Sequence, residues 1–250
     1  MIKFFHIAYL SVSLGACGQL IPEDESSSGC LSYIDEQEWD SAITCYEDGD
    51  FSDAPEADQE AEEYLYLAQW AGAYGGKYEV VGISIIESFL ETGGGDEGDD
   101  QGDESSGGID FETKATTLLT AGTISTAILE MQRAVELLTA IPEKYRDTSS
   151  SEAAYFASDL TTIGGIYVLF LFELQKVDFN AGLSDTELSE EELIEKADAV
   201  LETLANGGTI VSDPALQEQI NQKFSELESQ PGDNNAEKLE NLIREEEGSK

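Results

Sequence analysis

Ile124, Ile128, Met131, Val135 and Leu138 recur at spacings of 4, 3, 4 and 3 residues. That period lines them along one face of an α-helix. A strand would need apolar and polar residues to alternate in twos, and almost none of the 250-residue chain does so. The expected class is therefore all-α, with helical hairpins packed into a bundle or a short solenoid.

The same reasoning places other helices. Leu31 to Gln37 and Trp39 to Glu47 read as two short helices meeting near Gln37-Glu38. A longer one covers Glu60 to Tyr74, with Tyr64, Leu67, Ala68 and Ala71 on one face and Gly75-Gly76 as its stop. Tyr78 opens another that extends to Leu90. Ser149 and Glu152 form a capping-box pair ahead of a helix from about Ser150 to Lys176. Its segment Ile163 to Phe172 is almost wholly apolar, so this helix is expected to be central, with Gly164-Gly165 allowing a close neighbour. Ser189 and Glu192 repeat the capping signal before a helix that Asn206-Gly207-Gly208 ends. Asp213-Pro214 starts the next. A polar helix or tail occupies residues 230–250.

At the amino terminus, Lys3 precedes about eleven mostly apolar residues from Phe4 to Leu14. The run is too short to span a bilayer and suits a signal peptide. Leu14-Gly15-Ala16-Cys17 follows it, the pattern of a bacterial lipoprotein signal. Residues 1–16 are the expected signal, Cys17 the lipidated residue, and 17–29 a flexible tether. Gly18, where an Asp would retain the protein in the inner membrane, points to the outer membrane and its periplasmic side, with the cell-surface side left open. A plain secretory signal with an incidental cysteine is the competing reading.

Cleavage at that point would remove Lys3 and His6. The remainder carries 11 basic against 53 acidic residues, a formal charge of −42, and no histidine. Serine and cysteine nucleophile arrangements that rely on an imidazole cannot be built from it. No catalytic residue, metal ligand set or cofactor motif is assigned. Such a charge is repelled by nucleic acid phosphate and anionic headgroups, so only the lipid would hold the chain at a membrane.

Cys30 and Cys45 then remain. They lie symmetrically about the turn at Gln37-Glu38, so an antiparallel hairpin would bring them together as a disulfide in an oxidising compartment. Two buried free thiols are the alternative.

Small and aromatic residues recur at helix-contact positions between Leu31 and Leu90. Trp39 opens a helix with Ala42 three positions later. Tyr64, Leu67, Ala68, Ala71 and Tyr74 form the next first helix, and Tyr78 opens the next second one. This resembles tetratricopeptide repeats, although Trp39 and Tyr78 lie 39 residues apart against a usual period of about 34. With the lipoprotein signal it is similar to Gram-negative repeat-containing lipoproteins, those of the barrel-insertion machinery and those associated with TRAP-type transporters. A generic helical bundle whose hairpins imitate repeats is the alternative.

Residues 93–108, GGGDEGDDQGDESSGG, form an acidic low-complexity insertion in an all-α domain expected to span 30–229. Its flexible carboxylates offer a weak calcium site, and a solvated loop explains them as well. Asp178 to Gly182 looks like a damaged EF-hand loop, and the positions that should hold its Gly and Glu hold Leu183 and Ser189.

The expected function is a non-enzymatic scaffold or adaptor that presents a helix-lined groove to another envelope protein. The alternative is a small-molecule-binding or transport-accessory lipoprotein with an apolar cavity lined by residues 163–172. Trp39, Tyr64, Tyr74, Tyr78, Tyr167 and Phe170 are the candidate groove or cavity residues. An enzyme working with carboxylates alone would require a cleft with two convergent, oppositely tuned carboxyls.

Overall fold

The computed structural model describes residues 28–49, 59–80, 110–142, 154–185, 188–211 and 214–248. Cys17 and the signal region, the acidic insertion, the Ser149–Glu152 capping pair, Asp213 and the expected helix beyond Val80 lie outside the described residues. Among those residues there are nine helices and no strand. They are α1 (Ser28–Asp35), α2 (Trp39–Asp48), α3 (Gln59–Lys77), α4 (Phe111–Thr120), α5 (Ile124–Ala140), α6 (Ala154–Leu183), α7 (Glu190–Ile210), α8 (Pro214–Ser229) and α9 (Asn235–Gly248).

Through the first half α1 packs on α2, α2 on α3, α3 on α5 and α5 on α6, while α4 stands outside that order and packs mainly on α6. Beyond that the order breaks, and α6 also touches α4, α7, α8 and α9. The reason is its composition. Leu160, Ile166, Tyr167, Phe170, Leu171 and Leu174 of α6 enter one core with α2 to α5. Val168, Leu169, Phe172 and Phe179 enter a second core with α7, α8 and α9. A helix that is apolar all round is stable only when covered all round. The expectation of a central, buried helix through Ile163–Phe172 is met.

Several boundaries differ from the sequence reading, and the differences share a cause. The glycines at 75 and 76 do not stop α3, which continues to Lys77. It ends instead on Glu79, a non-glycine at φ 51°, with Val80 N donating to Gly75 O and Glu79 N to Gly76 O at 2.8 and 2.9 Å. Tyr78 therefore lies in a turn, and no helix starts at that residue. Gln37, at φ 61°, caps α1 in the same manner, and the expected turn is where the sequence put it. The Asn206-Gly207-Gly208 segment lies inside α7, which runs on to Ile210. Gly207 is spent on packing: a β-carbon there would collide with the Val168 side chain of α6. Gly165 plays the role expected of it, since a β-carbon would stand 3.0 Å from Leu216 Cδ1.

The EF-hand-like segment is likewise helical. Asp178 to Leu183 belongs to α6, Phe179 is wholly buried, and Asp178 pairs with Lys196. Residues 178–183 therefore form helix and not the start of an EF-hand loop. The Ser189–Glu192 capping box is present in both directions, with Ser189 N donating to Glu192 Oε2 at 2.7 Å and Glu192 N to Ser189 Oγ at 3.2 Å. Ser189 N and the Ser189 hydroxyl, both donating to Oε2, hold the Glu192 carboxyl below its ordinary range. In α5 the buried residues are Ile124, Ala127, Met131, Ala134, Leu137 and Leu138, while Ile128 and Val135 flank them half-buried. Alanines let α5 approach its neighbours more closely than the bulkier seam would. The polar α9 docks through Leu239, Leu242 and Ile243 into the second core.

Candidate functional site

The residues singled out as groove or cavity lining are mostly internal. Tyr74, Tyr78, Tyr167 and Phe170 are buried in the first core, with the Tyr78 and Phe170 rings 6.3 Å apart. Trp39, half-buried, lies against Gly76. Tyr64 is in α3, and its side chain lies outside the described residues. The rings of Tyr74, Tyr78, Tyr167 and Phe170 fill a core and line no groove. Polar tips explain part of their placement. Tyr78 donates to Glu130, which also accepts from Lys77 at 2.9 Å, and Tyr74 donates to Glu47 at 3.3 Å. The Tyr167 hydroxyl and both side-chain polar atoms of Gln175 are buried with no hydrogen-bond partner.

Cys30 and Cys45 are joined as a disulfide, their Cα atoms 5.5 Å apart. This agrees with the hairpin geometry read from the sequence.

One concave surface lies along α4, lined by Thr113, Thr116, Thr117 and Thr120. Its threonines at 116, 117 and 120 donate to carbonyls one turn back at 2.8 to 2.9 Å, which spends their hydrogen atoms within the helix. A second is a cleft of about 640 Å³ where α6, α8 and α9 meet, with Glu112 of α4 at its edge. Neither is lined by residues of the apolar 163–172 segment.

The cleft carries the chemistry. Lys176 Nζ stands 2.7 Å from Glu173 Oε2 and 2.9 Å from Glu246 Oε2, with its side chain only 8% exposed. Glu173 Oε2 meets Lys176 as an ion contact without hydrogen-bond alignment. Lys223 of α8 reaches Glu246 from the other side at 3.4 Å. Burial would lower the Lys176 pKa, but the two carboxylates outweigh it and hold the ammonium above its ordinary value. Burial pushes Glu173 up, and Lys176 only partly offsets this. Burial also works upward on Glu246, yet Lys176 and Lys223 outweigh it and bring its carboxyl below the ordinary range. Two carboxyls of opposite tuning thus converge on one lysine. Glu226 and Glu245 complete an acidic rim, with Gln230 donating to Glu245 at 2.8 Å.

Sequence reasoning missed this cleft, because Lys176 and Glu246 are 70 residues apart. The available signal was Glu173 and Lys176 beside Phe172, two charges spaced for one helix face at the edge of an apolar run.

No family model, no curated protein and no solved structure matches the chain.

Proposed function

We propose that this chain is a lipid-anchored helical adaptor of the bacterial cell envelope, held at the periplasmic side of the outer membrane through Cys17. In this reading the α6–α8–α9 cleft receives a basic segment of another envelope protein. The observation that carries it is the lining of the cleft: five glutamates (112, 173, 226, 245 and 246) against two lysines that already pair within it. An acidic concavity on a chain of formal charge −41 attracts cationic partners and repels nucleic acid. The packing of α1 on α2 and of α2 on α3 supports repeat-like hairpins at the amino-terminal end. The many-sided burial of α6 supports a bundle beyond it.

The test is crosslinking of the full-length protein in envelopes, beside a Glu226→Lys/Glu245→Lys variant. A defined partner captured by the parent chain and lost by the variant supports the reading. No captured partner, or one retained by the variant, defeats it.

The opposed tuning of Glu173 and Glu246 favours a second reading, a hydrolase that uses a carboxylic acid and a carboxylate. Its cost is that Lys176 would have to release both groups, and Lys176 is what fastens α9 to α6. Hydrolysis of a model glycoside that disappears in Glu173→Gln while the fold persists would establish it; no turnover in the parent would end it.

A further inference from the structure

We propose that the Cys30–Cys45 disulfide is a redox latch that holds α1 on the body, and that its reduction frees α1 while α2 and the rest of the fold stay in place. The two helices it joins are held very unequally. α2 is fastened to α3 along its length. Trp39 lies against Gly76, Asp40 pairs with Lys77 at 2.7 Å, Tyr46 donates to Gln69 at 3.1 Å, and Tyr66 donates to the Tyr46 carbonyl. Ala42, Ile43 and Tyr46 are buried.

α1 has eight residues, well short of the length at which a helix persists unaided in water. Among its described side chains, Cys30 is buried and Ile34 partly so, while Ser32, Tyr33 and Asp35 are exposed. Its packing partner is α2. Among those described side chains the buried group is therefore half of the cystine. Without the covalent bond, a buried thiol and a half-buried isoleucine are what those side chains offer to order a helix that lacks intrinsic stability.

The reductant is a dithiol. One of its thiolates attacks Cys45 Sγ, the half-buried member of the pair. The protein S–S bond breaks and Cys30 leaves as a thiolate that takes a proton. The second thiol of the reagent then attacks the mixed disulfide and releases Cys45 as a thiol. The protein gains two electrons and two protons, and the reagent ends as its own disulfide. For an anchored protein, a consequence that rests on the reading above, the freed segment lengthens the tether between lipid and body.

Hydrogen exchange on the full chain tests the latch without lipid or partner, so its failure is separable from failure of the adaptor reading. Reduction with dithiothreitol, or the C30S/C45S double variant without reductant, is expected to speed exchange in residues 30–37 on the order of a hundredfold. Residues 154–183 should keep their protection. Unchanged protection in α1, or its loss across α6 as well, overturns the proposal. So does finding both cysteines as free thiols in protein purified without reductant.

Discussion

The indole of Trp39 occupies the space that a side chain on Gly76 would need. A β-carbon at 76 would stand 2.5 to 2.7 Å from three ring carbons of Trp39, well inside van der Waals contact. Gly72, one turn earlier on the same helix, has nothing within 4 Å of where its β-carbon would be. The two positions thus ask opposite things of the same substitution. Gly76→Ala is expected to cost about 1–3 kcal/mol through overpacking. Gly72→Ala is expected to stabilise by about 0.5–1 kcal/mol, the helix preference of alanine over glycine. Urea midpoints of the two variants check both signs.

Gln175 is 5% exposed, and neither atom of its amide finds a partner. By helical spacing it shares a face with Val168, Phe172 and Phe179, which enter the second core. An amide without hydrogen bonds in such a place is a standing cost. Gln175→Met has similar volume and no such group, and is expected to raise stability by about 1–3 kcal/mol. A midpoint unchanged or lowered would mean that the amide has a use in the folded chain.

Lys176→Met should act in the other direction. It strips Glu173 and Glu246 of a shared cation while leaving Glu173 mostly buried, its side chain 15% exposed. Breaking one side of such a pair costs about 3–5 kcal/mol. Adding Glu173→Gln to the same chain should recover part of that loss, because the uncompensated charge goes with it. Thermal melts of the single and double variants at one pH measure the recovery.

The tuned carboxyls also fix the pH dependence. Glu246, held below its ordinary range, contributes stability that is present above the unfolded value and lost as pH falls through its folded value. Glu173, raised by burial, works oppositely: the folded chain binds its proton more tightly, so stability declines as pH rises from the ordinary carboxylate value through the raised one. Lys176, held above its ordinary value, keeps its contribution until pH climbs through its folded value. Glu246→Gln should therefore flatten the acid limb of a pH–stability curve. Glu173→Gln should remove the decline on its neutral side. Urea midpoints from about pH 3 to about pH 8 display both effects.

Periodicity in the sequence was enough for the class, for the order of most helices and for the hairpin that pairs Cys30 with Cys45. It erred where a residue's local meaning was overridden by a neighbour far along the chain. Gly75-Gly76 and Gly207-Gly208 look like stops, and a local rule makes them so. Gly76 and Gly207 instead give room to Trp39 and Val168. The true end of α3 uses Glu79 in a left-handed conformation, which no glycine marks. Apolar size misled as well, since Ala127 and Ala134 are buried where Ile128 and Val135 were expected. Tyr167 and Phe170 were legible as apolar but not as core or lining, because that distinction depends on what packs against α6. The cleft itself depends on three helices meeting, and charge spacing within one helix does not report that.

The thirty residues of α6 belong to both cores, and this decides what can be separated from what. A fragment that kept α6 with the amino-terminal helices would leave Val168, Phe172 and Phe179 bare to water. A fragment that kept it with the carboxy-terminal helices would bare Tyr167, Phe170 and Leu174. Neither part is a module that recombination could pass intact to another protein. The helix works as a party wall: two rooms stand on it, and neither has a wall of its own.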